Sequence, residues 1–89
     1  MWVRPQDHQI VGECLAAMRK KASLTQDELA ERLGKPQSFV SSYESGQRRI
    51  DILELLIILK ALNANPKPVF AAILERSTDL LKHWKKAGA

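Results

Sequence analysis

The stretch Thr25-Gln26-Asp27-Glu28-Leu29-Ala30-Glu31-Arg32-Leu33-Gly34-Lys35-Pro36-Gln37-Ser38-Phe39-Val40-Ser41-Ser42-Tyr43-Glu44-Ser45-Gly46 decides the fold. Thr25 and Glu28 have the spacing of a capping box, in which each side chain satisfies a backbone N–H at a helix start. Leu24 before the cap and Leu29 inside form a hydrophobic staple. Leu29, Ala30 and Leu33 face inward. Gly34 ends this helix because glycine takes the left-handed conformation at little steric cost. Pro36 suits the first turn of a second helix, where its missing N–H is not needed. That helix runs to Ser45 and stops at Gly46. Two short helices so closely joined must cross steeply, and Ala30 is the small residue expected at the crossing.

Working outward, a helix from about Asp7, its expected N-cap, to Ala22 precedes this pair. Its apolar stripe is Ile10, Val11, Cys14, Leu15 and Met18, and Arg19, Lys20 and Lys21 suit its negative end. Asp51 caps a fourth helix to about Asn63, with Ile52, Leu55, Leu56, Leu59 and Leu62 as its core stripe. Leu53, Ile57 and Ile58 fall outside that stripe, so another surface must cover them. Asn65-Pro66 opens a fifth helix to about Lys86, with the stripe Phe70, Ile73, Leu74, Ser77, Leu80, Leu81 and Trp84. The expected organisation is an N-terminal arm over 1–6, a helical domain over 7–64 and a C-terminal helix over 65–89. The arm has three open fates: to dangle, to pack on the fifth helix, or to reach along a partner.

The 89 residues suit one all-α domain, and 45% hydrophobic with 27% charged residues is ordinary for a globular chain. The net charge of +4 favours a polyanionic partner without proving one. Cys14 is the lone cysteine, expected as a small core hydrophobe. No apolar run is long enough for a bilayer span and the N-terminus lacks a signal-peptide core, so the expected location is cytoplasmic, with no membrane role. An enzyme is not expected. His8 and His83 lack metal-ligand spacing, there is no glycine-rich phosphate loop, and Ser41 and Ser42 have no adjacent base. No cofactor and no metal are expected.

The third helix carries the candidate chemistry. Its outward positions, Gln37, Ser38, Ser41, Ser42 and Ser45, are short and polar, as a helix entering a major groove requires. Gln pairs bidentately with adenine, and serine hydroxyls bond several base edges. Lys35, Arg48 and Arg49 flank the helix, placed to meet phosphates, and Gln26 stands at the start of the second helix.

The ordered set Thr25-Gln26-x-Glu28-Leu29-Ala30-x-x-Leu33-Gly34-x-x-Gln37-Ser38-x-Val40-Ser41-x-x-Glu44-x-Gly46 resembles the Cro/repressor-type (XRE) helix-turn-helix family. The likeness extends from about Leu15 to Leu62. It implies a five-helix lambda-repressor-like fold and a sequence-specific transcription regulator, expected to be a repressor. It also implies roles: Gln37 and Ser38 lead the base contacts, with Ser41 and Ser42 in support. Gln26, Lys35, Ser45, Arg48 and Arg49 contact the backbone, and Gln26 helps to orient Gln37. Phe39 either touches a thymine or packs. Arg19 and Glu44 match a partly buried ion pair that orients the reading helix. Lys35-Pro36 departs from the family's usual Ser or Thr cap, which puts the start of the third helix in doubt. The expected partner is double-stranded DNA at a palindromic operator, bound by a homodimer through Leu53, Ile57, Phe70 and Trp84. An antitoxin with a toxin partner, a restriction-modification controller and an interaction scaffold without DNA binding are the alternatives.

Overall fold

The computed structural model describes residues 2–84. The described residues form six α-helices and no strand: α1 (His8–Lys21), α2 (Gln26–Leu33), α3 (Gln37–Glu44), α4 (Ile52–Ala61), α5 (Pro66–Arg76) and α6 (Thr78–His83). A short 3-10 turn, Pro5–Asp7, precedes α1. The all-α, lambda-repressor-like class is the one expected.

Local chemistry sets most boundaries. Thr25 Oγ1 accepts the Glu28 N–H at 3.1 Å, while Glu28 accepts the Thr25 N–H at 2.9 Å. These bonds hold the Glu28 carboxyl below its usual pKa range. Asp51 and Glu54 repeat the reciprocal pattern at α4, and Asn65 caps α5 ahead of Pro66, its side-chain Oδ1 accepting the Lys67 N–H. Gly34 closes α2 at φ +66. Pro36 occupies the N-cap of α3 with extended backbone, so the helix proper begins at Gln37.

The core gathers Leu15, Leu29, Ala30, Val40, Tyr43, Leu55, Ile58, Leu59, Leu62 and Val69. Each fully buried leucine there contributes about 1.5–3 kcal/mol from transfer alone. α1 packs on α3 and α5, while α2 packs on α3 and α4. The bundle thus clamps α3 along one side. Cys14 lies buried at the edge of this core.

Four expectations are corrected. Asp7 does not cap α1; its carboxylate turns back to accept the Arg4 backbone N–H at 2.8 Å and the Arg4 guanidinium at 2.9 Å. Charge pairing and a backbone donor outcompete the free N–H groups of α1. The α4 stripe is rotated: Leu55, Ile58, Leu59 and Leu62 are buried, while Ile52, Leu53, Leu56 and Ile57 are exposed. Both phases fit a helical period because the segment is apolar nearly all round, so packing against neighbours decides. The fifth expected helix is broken at Ser77 into α5 and α6. Ser77 Oγ donates to the Ile73 carbonyl at 2.7 Å and Thr78 Oγ1 to the Glu75 carbonyl at 2.6 Å. Such hydroxyls compete with the helical ladder. Finally, Val69 supplies the fully buried contact of α5, whereas Phe70, Leu74, Leu81 and Trp84 are exposed. The expected end of that helix at Lys86 lies outside the described residues.

Candidate nucleic-acid interface

α3 has two unlike sides. Val40, Tyr43 and Glu44 are buried, and Phe39 is half-buried. Gln37, Ser38 and Ser45 are exposed, with Ser41 and Ser42 half-buried beside them. Helical spacing puts Gln37, Ser38, Ser41 and Ser45 on one side, with Ser42 at its edge.

Gly12 of α1 is what brings α3 so close. A Cβ built there would fall 2.7 Å from the Glu44 carbonyl oxygen and nearer still to that of Tyr43. No local pattern around Gly12 signals this approach, because the opposing carbonyls belong to another helix.

A buried ion pair crosses the same contact. Arg19 Nε donates to Glu44 Oε2 at 2.7 Å, and a terminal nitrogen of Arg19 donates to Oε1 at 3.0 Å. Its other terminal nitrogen donates to the Leu24 carbonyl at 2.7 Å. Glu44 raises the pKa of the guanidinium above its ordinary value. Gln26 Nε2 also donates to Glu44 Oε1, at 2.9 Å, and Gln37 Nε2 donates to Gln26 Oε1 at 2.6 Å. Gln26 and Gln37, eleven residues apart in the chain, therefore meet side by side.

The serines are tied more weakly. Ser42 Oγ donates to the Phe39 carbonyl at 3.0 Å and Ser45 Oγ to the Ser42 carbonyl at 3.1 Å. Their lone pairs remain able to accept. Ser38 projects at the first turn.

The flanking cations are unequal. Arg48 forms a two-pronged pair with Glu54, at 2.8 and 3.2 Å, and its guanidinium lies 4.7 Å from the Phe39 ring centroid. Arg48 in turn holds the Glu54 carboxyl below its usual range. Lys35 Nζ lies 5.6 Å from the same ring, which also meets Tyr43 edge-on. Phe39 thus packs as a platform for two cations. Arg49 is exposed on the loop that leaves α3. Glu54 is the residue that sequence reading missed at this edge; its signal was the Asp51-x-x-Glu54 capping spacing.

The expected dimer residues Leu53, Ile57, Phe70 and Trp84 are 67%, 61%, 42% and 51% exposed. Leu53 and Ile57 share the uncovered side of α4. Trp84 instead lines a cleft with Trp2, Val3, Leu80 and Leu81, so the N-terminal arm lies against α6. Among the described residues no His, Cys, Asp and Glu cluster suits a metal ion, and no helix is long and apolar enough to cross a membrane.

An exposed polar helix held across a capped partner helix is the layout of a DNA-reading unit, and sequence comparison agrees. A family described as helix-turn-helix matches residues 15–68. The HTH-type transcriptional regulator y4dJ of Sinorhizobium fredii is 33% identical over 57 residues, 64% of this chain and 74% of that protein. Among solved structures, an XRE-family like protein from Pseudomonas syringae superposes with a TM-score of 0.69 at 33% identity, covering 81% of this chain and 88% of its own. The restriction-modification controller C.AhdI from Aeromonas hydrophila gives a TM-score of 0.65 at 30% identity, covering 72% and 97%. The chain belongs to the XRE-type helix-turn-helix family of DNA-binding transcription regulators.

Proposed function

We propose that this protein regulates transcription by binding a specific double-stranded DNA site with α3 in the major groove, and that it acts as a repressor. The observation that carries the reading is the exposure of Gln37 and Ser38 on the first turn of a helix whose C-terminal end is locked against α1 by Gly12 and by the Arg19–Glu44 pair. Gln37 and Ser38 lead the base contacts, and Ser41 and Ser42 support them. Gln26, Lys35, Ser45 and Arg49 meet phosphates, with Arg48 joining them when it leaves Glu54.

The eight residues of α3 span only about 12 Å. That length reads a few base pairs, so strong specificity calls for two half-sites. A homodimer on a palindromic operator supplies them, and the uncovered Leu53–Ile57 side of α4 is the surface proposed to join its copies. Phe70 and Trp84 extend that assignment to the C-terminal helices.

Fluorescence anisotropy on DNA recovered by in-vitro selection tests the reading. The recovered site should bind at least about 10³-fold tighter than random DNA, with the logarithm of the affinity falling linearly with the logarithm of the salt concentration. Equal affinity for every duplex would contradict it. The likeness to C.AhdI supports a second reading, control of a restriction-modification system, which an adjacent restriction gene would favour. An adjacent toxin gene would favour an antitoxin instead.

A further inference from the structure

Glu44 stands off the reading face, yet the hydrogen bonds that begin at its carboxylate end on Gln37. A carboxylate paired with arginine accepts hydrogen bonds and donates none. Gln26 therefore meets Glu44 with its amide nitrogen, at 2.9 Å, and its own carbonyl oxygen turns to Gln37. Gln37 must then present its nitrogen to Gln26, at 2.6 Å. A glutamine amide is nearly symmetric in shape, so only its partners decide which end is oxygen. Here the chain of partners has an unambiguous terminus.

We infer that Glu44 is a positioning residue for sequence specificity: through Gln26 it sets which way round Gln37 offers its amide to a base pair. The inference rests on Gln37 being a base contact. With the amide so oriented, Gln37 has its carbonyl oxygen and one N–H left over. These are the acceptor and donor that adenine N6 and N7 require. A reversed amide offers the two in the opposite order along the groove. Arg19 serves the relay by holding both oxygens of Glu44, and its third bond to the Leu24 carbonyl fixes it beside the start of α2.

The test compares base preference position by position, using selection on randomised DNA followed by competition binding. Gln37→Ala first locates the base pair that Gln37 reads. Glu44→Gln keeps the size of the side chain but can both donate and accept, so the orientation of the relay is lost. At the located base pair its preference should fall roughly tenfold, while preference at other positions holds. Because Glu44→Gln leaves Arg19 buried without its charge partner, Arg19→Met with Glu44→Gln is measured alongside it. Gln26→Met, which cuts the relay and keeps the ion pair, should relax the same base pair. Circular dichroism establishes that each variant is folded. Folded variants that weaken binding equally on all sequences would overturn the relay and leave Gln37 a base reader. If Gln37→Ala relaxes no base pair, the reading of Gln37 fails and the relay fails with it.

Discussion

Gly12 of α1 lies so close to α3 that a Cβ on it would stand 2.7 Å from the carbonyl oxygen of Glu44. Backbone cannot yield there as the end of a flexible side chain would. Helix propensity alone favours Ala over Gly by about 1 kcal/mol in a helix interior. Packing reverses that sign: Gly12→Ala should destabilise by about 1–3 kcal/mol, as overpacking does. Urea unfolding measures it. The same shift moves Glu44 and α3, so DNA affinity should fall as well.

The Tyr43 hydroxyl is buried with no hydrogen-bond partner among the described residues. Burial pushes the phenol well above its ordinary pKa. A raised folded-state value means that its contribution is complete below the unfolded pKa of about 10 and is lost as pH rises beyond it. Tyr43→Phe removes an unsatisfied hydroxyl at nearly constant volume. Stability near neutral pH should be unchanged or higher by about 1 kcal/mol. The alkaline decline in stability should be shallower in Tyr43→Phe than in the parent above about pH 10, read by unfolding midpoints compared with those near neutral pH.

Arg48 and Arg49 are neighbours with different starting states, since Arg48 is paired with Glu54 at 2.8 Å. Arg49→Ala should weaken binding on all sequences alike and reduce the salt slope by about one. Arg48→Ala should do less, because the Glu54 pair must first be broken. Glu54→Gln should release Arg48, strengthen binding at low salt and steepen the salt dependence. Salt titrations of all three variants check the order.

Leu53 and Ile57 leave an apolar strip on the outside of α4. Leu53→Glu with Ile57→Glu should abolish self-association in sedimentation experiments and leave helix content intact, because neither side chain supports the core. Operator affinity should fall with dimerisation.

The parts of the fold legible in the sequence are those whose partners lie within a few residues. Thr25 with Glu28, Gly34 at its turn and Asn65-Pro66 each carry their own chemistry. The polar side of α3 was legible for a similar reason, since Gln37, Ser38 and Ser41 stand out against Val40 and Tyr43. Gly12 was silent because its reason lies on another helix. The phase of α4 was undetermined because Ile52, Leu56 and Ile58 are all apolar and only the surrounding helices choose among them. Ser77-Thr78 did carry a signal for the break in the C-terminal helix, two adjacent hydroxyls able to take helical carbonyls. The helical spacing of Ile73 and Leu74 before Ser77 with Leu80 and Leu81 after it outweighed that signal. The division of labour between Arg48 and Arg49 depended on Glu54, whose spacing pointed to a cap and not to a cation.

In the proposed function, α3 reads base pairs through Gln37. Its most direct test is selection of bound sequences with the parent protein and with Gln37→Ala, followed by competition binding at each position of the recovered site. One base pair per half-site, an A·T pair in the parent, should lose about 1–3 kcal/mol of preference while the remaining positions keep theirs. An unchanged motif, with affinity lowered equally on every sequence, would contradict it.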